Sequence, residues 1–202
     1  MVEAVGVKTR ETQVVRSART RTALLSAARQ LFAEKGFAET GRDEIAERAG
    51  VTRGALYHHF TSKTAVAAAV VDQLEEELVA RVVAAAREGS GVRDQLRRGC
   101  LAYMEACADP TVARILADAP AVLGVATCRA LDAASCVPLL EEVFRLAGAE
   151  GIDVPGDPPI TASLMLGLLN EGALLIAVSP EDGALQRRVS SSVEAFLDKL
   201  FA

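Results

Sequence analysis

The sequence predicts an all-α protein of about nine helices, and three observations carry that prediction. Leu24, Leu25, Ala28, Leu31 and Phe32 recur at the spacing of one apolar stripe on a helix. Asp109-Pro110, Asp157-Pro158 and Ser179-Pro180 each place a capping side chain before a proline at the first helical position. No stretch alternates apolar and polar residues for long enough to suggest a sheet.

Taken in order, a flexible basic tail over 1–16 precedes a first helix over 17–36. Gly36 supplies a left-handed stop there, and Phe37 the hydrophobic contact of a Schellman ending. Short helices over 41–49 and 52–59 are joined by Ala49-Gly50-Val51, with Gly50 where a tight inter-helical turn needs a positive φ or close approach. Ile45, Ala46 and Ala49 give the first of these an apolar face; Val51, Leu56 and Phe60 serve the turn and the second. Thr52 caps the second short helix and Ser62 caps a long one over 62–88. Further helices are expected over 91–108, 110–118, 127–148, 158–179 and 181–201, with loops at Gly89-Ser90-Gly91 and 148–157.

The last two helices carry apolar residues on more than one face. Leu164, Leu168, Leu175 and Val178 form one stripe; Ser163, Gly167, Asn170, Leu174 and Ala177 form a second. A helix apolar on two sides must bury both. Pairing the 158–179 and 181–201 helices with their copies in a four-helix homodimer interface does so; burial within the monomer is the alternative.

The 202 residues are 50% apolar with a net charge of −5, which suits one folded domain or a domain plus a small module. That charge is an average. Residues 1–65 carry 11 Lys+Arg against 7 Asp+Glu, a net of +4; residues 66–202 carry 11 against 20, a net of −9. Such asymmetry points to a nucleic-acid-binding module attached to an acidic remainder. The longest uncharged stretch, Pro158 to Asn170, is shorter than the roughly 18 residues of a spanning helix, so no membrane partner is expected. The polar N-terminus has no signal-peptide core, and none of Cys100, Cys107, Cys128 and Cys136 forms a C-x-x-C pair, so a cytoplasmic protein with reduced thiols is expected.

Thr52 as N-cap puts Arg53, Gly54 and Ala55 in the first turn of the second short helix. A helix-turn-helix places such residues at base edges, where small side chains allow close approach and an arginine donates in bidentate fashion to guanine. Lys63 sits at the first position of the long helix, where a cation opposes the helix dipole. A DNA phosphate bound at that helix start would account for it.

The string Gly36-Phe37, Ile45-Ala46, Ala49-Gly50-Val51-Thr52-Arg53-Gly54, Leu56-Tyr57, His59-Phe60 and Ser62-Lys63 resembles the DNA-binding domain of the TetR family of transcriptional repressors. The likeness covers about residues 17–78. It implies a three-helix DNA-binding domain over 17–65, a connecting helix over 61–88, and a ligand-binding and dimerisation domain over 66–202. It further implies a homodimer bound to a palindromic double-stranded DNA operator and released by a small molecule. Position by position, Arg53 and Gly54 match sites near bases. Tyr57, His58, His59 and Lys63 match sites at phosphate or the groove edge, and Thr52 caps the recognition helix. The sequence departs from the family at Gly41, where a hydroxyl residue is usual and Thr40 is the substitute, and at Arg42, where an apolar residue is usual. Arg42 either covers the core with its stem or adds a DNA contact.

The expected effector is small and apolar, in a pocket among helices 91–118, 127–148 and 158–179. Tyr103, Met104, Cys107, Phe144, Leu164 and Leu168 are the expected lining. Asn170-Glu171 either orients a ligand there, bonds across a dimer interface or forms an exposed edge. Cys100 and Cys107, seven apart on one helix, read as buried hydrophobes; a cysteine-based redox sensor on the same scaffold is the alternative function. Arg10, Arg16, Arg19 and Arg21 form a solvated end or a minor-groove arm. His58 and His59 point apart on a helix with no third histidine, so no metal is expected. No cofactor is expected either. The absence of H-E-x-x-H, phosphate-loop and G-x-S-x-G motifs argues against an enzyme.

Overall fold

In a computed structural model, residues 3–179 and 181–200 are described, with side chains from Gln13 onward. Ten helices and no strand occur among them: α1 (Glu3–Glu39), α2 (Arg42–Arg48), α3 (Arg53–His59), α4 (Lys63–Arg87), α5 (Val92–Cys107), α6 (Pro110–Leu123), α7 (Val125–Ser135), α8 (Val137–Ala149), α9 (Pro158–Ala177) and α10 (Gly183–Leu200). The chain divides into two compact units, Met1–Val70 and Val71–Ala202.

The first unit packs α1, α2 and α3 around Leu24, Leu31, Ile45, Leu56 and Val66, each at most 1% exposed. The stripe that begins at Leu24 is therefore the core face. Backbone helicity extends back to Glu3, into the stretch read as a tail, because no proline interrupts it. The side chain of Arg10 lies outside the described residues.

Two glycines end helices here in different ways. Gly36 has φ 83° and ψ 167°, a region open only to glycine but outside the left-handed helical basin that a Schellman ending uses. That ending occurs instead at Gly50, where φ is 66°. Val51 N–H donates to the Ala46 carbonyl and Gly50 N–H to the Glu47 carbonyl, both at 3.0 Å, which is the paired Schellman pattern. The turn from α2 into α3 is thus fixed by backbone bonds, and Thr52 Oγ1 completes it by accepting from Ala55 N–H at 3.2 Å.

In the second unit α9 packs against α5, α6, α8 and α10. Ala162, Met165, Leu166, Leu169, Ala173 and Ile176 form its buried face. Its other side leaves Ile160, Leu164 and Val178 more than 60% exposed, and Phe196 of α10 is equally bare. By length and composition α9 is also apolar enough to cross a membrane, since Glu171 is its only charge; in the fold one of its faces is protein core.

Three boundaries differ from expectation. The helix expected over 127–148 is two, α7 and α8, because Pro138 in the first turn of α8 has no N–H to bond back across Cys136. α6 runs past 118 to Leu123 and tolerates Pro120 in its last turns. α10 starts at Gly183, capped by Asp182 Oδ1 accepting from Ala184 and Leu185 N–H; the expected start used Pro180, which lies outside the described residues. Asp109 and Asp157 cap α6 and α9 as their sequences suggest.

Candidate nucleic-acid interface

α3 buries Leu56, and Phe60 follows it into the core, so the opposite side of the helix faces outward. Arg53, Gly54, Tyr57 and His58 are exposed there, with Ala55 and His59 half-buried. Thr52, also exposed, fixes the first turn. Arg53 Nη1 lies 3.0 Å from Asp43 Oδ2 of α2, in a pair open to solvent on both sides. The Arg42 guanidinium lies 4.4 Å from the centre of the Tyr57 ring and donates to the Thr61 carbonyl at 3.3 Å. Arg42 therefore supports Tyr57 and does not merely cover the core with its stem. Burial, with the neighbouring His58 and Arg21 charges, lowers the His59 pKa and favours its neutral form. Gln13, Arg16 and Thr20 of α1 share an open concavity with Ala55, His58 and His59.

Two residues expected at DNA have other work. Thr40 is 1% exposed, and its hydroxyl donates to the Gly36 carbonyl at 2.8 Å. It offers no hydroxyl to a phosphate; it holds the turn at Gly36. Lys63 Nζ donates to the carbonyls of Phe37, Ala38 and Thr40 at 2.8, 3.1 and 3.0 Å, and lies 4.3 Å from the centre of the Phe37 ring. All three ammonium protons are committed to this turn. The cation that opposes the dipole of α4 is a cap for the carbonyls that close α1, where positive charge is favoured. No donor remains for a phosphate.

Among the described residues of the second unit are two adjoining cavities that share Tyr103 and Cys136 in their lining. One, of about 360 Å³, is walled by Val79, Val82, Val83, Leu139, Leu140 and Val143 among others. The other, of about 250 Å³, is lined by Glu75, Asp132, Asn170 and Glu171 together with Leu78, Leu116 and Leu174. Of the expected lining, Tyr103, Asn170 and Glu171 are present. Met104, Cys107 and Phe144 are buried in the core and line neither cavity, whereas Leu164 is 70% exposed. Leu168 is half-buried and lines neither. The assignment of these five rests on apolar periodicity, which finds the buried face of a helix but does not say which part of that face meets a cavity.

A polar relay crosses the second cavity. Tyr103 donates to Asn170 Oδ1 at 2.7 Å, and Asn170 Nδ2 donates to Asp132 at 3.0 Å. Burial raises the Asp132 carboxyl and pushes Glu75 up to about 7. Burial also pushes the Cys100 and Cys107 thiols up to about 12, so neither carries the thiolate that a redox sensor needs.

Glu75, Asp132 and Asp43 were not singled out by the sequence. The signal for Glu75 was present: it occupies the fourth position between Val71 and Leu78, on an otherwise apolar face. Asp132 likewise lies on one helical face with Cys128 and Cys136.

Two family profiles match the chain. One, described as bacterial regulatory proteins of the tetR family, covers residues 24–70. The other, a tetracyclin repressor-like C-terminal domain, covers residues 93–200, more than half of the sequence. The chain belongs to the TetR family. It is a TetR-family DNA-binding transcriptional regulator, and the family and its structural neighbours are regulators rather than enzymes.

Among curated TetR-type relatives, the chain is 39% identical over 82 residues to the transcriptional activator FasR of Mycolicibacterium smegmatis. That match spans 41% of this chain and only 37% of FasR. A crystal structure of a TetR-family transcriptional regulator from Pectobacterium atrosepticum superposes with a TM-score of 0.79 at 33% identity, covering 93% of this chain and 97% of the other. SmeT, which represses a multidrug efflux pump in Stenotrophomonas maltophilia, is known as a triclosan complex that shares the fold. Its TM-score is 0.71 at 24% identity, over 91% of this chain and 92% of that one.

Proposed function

We propose that this TetR-family regulator is a cytoplasmic repressor that binds a palindromic operator as a homodimer and leaves it when a small molecule occupies the second unit. The exposed first turn of α3 is the observation that carries this reading. Arg53, Gly54 and Ala55 stand on a capped, backbone-locked helix start, in position for base edges. Tyr57, His58 and His59 flank them for phosphate or the groove edge, with Arg42 holding the Tyr57 ring. The bare side of α9 with Phe196 of α10 supports the dimer, because a second copy would remove those side chains from water. The two cavities support an effector, as does the triclosan found with SmeT.

DNA binding by such a dimer requires recognition helices about 34–36 Å apart, one turn of duplex. A ligand preferring a state with a different spacing lowers operator affinity by its differential affinity for the two states. α4 carries residues of both units, Lys63 in one and Glu75 at the cavity of the other, and is the element through which the two equilibria are linked.

Operator selection from random DNA with purified protein tests the reading, followed by transcription from the selected site. The expected result is a palindrome with half-sites one turn apart and reduced transcript. Leu164→Glu should give a monomer in sedimentation and abolish binding to the palindrome. A dimer that persists in Leu164→Glu and Phe196→Glu together would move the interface elsewhere, and raised transcript would make the protein an activator.

A further inference from the structure

The acidic cavity of the second unit has an electrostatic character that fixes the kind of molecule it can hold. None of its lining residues is basic, whereas Glu75, Asp132 and Glu171 all line it. Glu75 and Asp132 are each about half-buried, and their hydrogen-bond partners are neutral: the Ser135 hydroxyl 2.9 Å from Glu75, and Asn170 Nδ2, which donates to Asp132. Buried carboxylates are ordinarily paired with a cation. The charges that act on Glu75 from nearby, Asp72 on its own helix and Asp132 across the cavity, have the same sign. Through Tyr103 and Cys136 this chamber adjoins the larger one of about 360 Å³, which is mostly a Val and Leu wall and whose charged lining residues are Arg87 and Glu142, one of each sign. Each chamber is near the lower end of the range for small-molecule sites.

We infer that the two chambers together take a lipophilic organic cation, an alkyl- or arylammonium, with its nitrogen against the carboxylates of Glu75 and Asp132 and its apolar body against the Val79, Val83 and Leu140 wall. This rests on the effector reading of the second unit and narrows it. The small apolar effector expected from sequence suits one chamber and offers no positive charge to the acids of the other.

The hydrogen bonds around Glu75 bear on where its proton sits. Ser135 Oγ lies 2.9 Å from both Glu75 Oε2 and the Leu131 carbonyl, and a hydroxyl has one proton to give. Both contacts are hydrogen bonds at once when Glu75 is protonated and donates to Ser135, which then donates to Leu131. A cation in the cavity favours the carboxylate and expels that proton. Cation binding near neutral pH is therefore coupled to proton release, with Asp72, Asp132, Glu171 and the Cys128 and Cys136 thiols as the surrounding titratable groups.

Calorimetry on the full-length protein with three ten-carbon probes, each below its micelle concentration, tests the inference. Decyltrimethylammonium should bind about tenfold or more tighter than decanol, about 1.4 kcal/mol in affinity, and decanoate should bind weakest. Glu75→Gln and Asp132→Asn should each cut the preference for the cation severalfold while leaving decanol affinity as in the parent, which shows that the variant is folded. Titrations in two buffers of different ionisation enthalpy should show proton release on cation binding that Glu75→Gln removes. Equal or tighter binding of decanol or decanoate overturns the inference, as does a preference that survives in both variants, or no binding of any probe. Operator binding is read separately. A cation that binds with this selectivity yet leaves the operator complex intact upholds the site and defeats its role as an effector site.

Discussion

The basic side chains at the helix-turn-helix and the acidic side chains at the cavity are satisfied in opposite ways. Arg53 lies against Asp43, Arg42 against Tyr57 and Thr61, and Lys63 against three carbonyls. Each is held by a group of negative or electron-rich character before any DNA arrives. Glu75 and Asp132 have only a hydroxyl and an amide, so burial raises both pKa values. The DNA-binding unit is electrostatically assembled, and the cavity is electrostatically incomplete. Preorganised charges favour one geometry of DNA contact, while incomplete ones leave free energy available to a ligand.

The largest test of this contrast is Lys63→Met. Losing three charge-assisted bonds to a partly buried turn should destabilise the first unit by about 2–3 kcal/mol, read by chemical denaturation. Its operator affinity should fall with the folded fraction, and the salt slope of the remaining binding should match the parent. A slope shallower by about one ion would restore Lys63 to the phosphate backbone.

Arg53→Ala should reverse that pattern. Stability should change by less than about 1 kcal/mol, because the Asp43 pair is exposed. Operator affinity should fall by about 1–3 kcal/mol with relaxed preference at one base pair. Binding to a panel of single-base operator variants measures both.

Glu75→Gln sharpens the other side of the comparison. Because the folded carboxyl titrates near 7 against an ordinary value of 4.5, the native state binds the proton more tightly. Its contribution is fully present below about 4.5 and lost as pH rises through 7. The variant should therefore melt about 2–4 °C above the parent at pH 8, a gain of about 1 kcal/mol after allowance for solvent, and level with it at pH 4. An equal effect at both pH values would show that the side chain acts through packing alone. Arg42→Ala is the smallest case. Loss of its contact with the Tyr57 ring should cost about 0.5–1 kcal/mol of stability, and a larger loss of operator affinity would make Arg42 a DNA contact in its own right.

The sequence disclosed much of what is encoded within one or two helical turns. The Leu24 stripe, the Thr52, Ser62, Asp109 and Asp157 caps and the Gly50 turn all depend on neighbours within five residues, and each occurs. What escaped depends on partners far along the chain. Lys63 was legible as a misplaced cation at a helix start, but the carbonyls that explain it lie 23 to 26 residues earlier. Thr40 looked like a surface hydroxyl until the turn at Gly36 closed over it. The cavity needed α4, α5, α7 and α9 to converge, so Tyr103, Asn170 and Glu171 were placed by their polarity in apolar runs while Leu164 was placed on the wrong face. Pro138 is a local signal as well, and it lies in the first turn of α8, where the helix expected over 127–148 divides.

The commitment of every Lys63 ammonium proton has a chemical consequence. An amine reacts with an acylating reagent only after it loses a proton and frees its lone pair, and here every proton is held, so at least one of the three carbonyl contacts must open first. The rate of acylation at Lys63 then counts openings of the Phe37–Thr40 turn rather than collisions with reagent. This side chain is a clock for local unfolding at the base of the recognition helix, readable by mass spectrometry with and without operator.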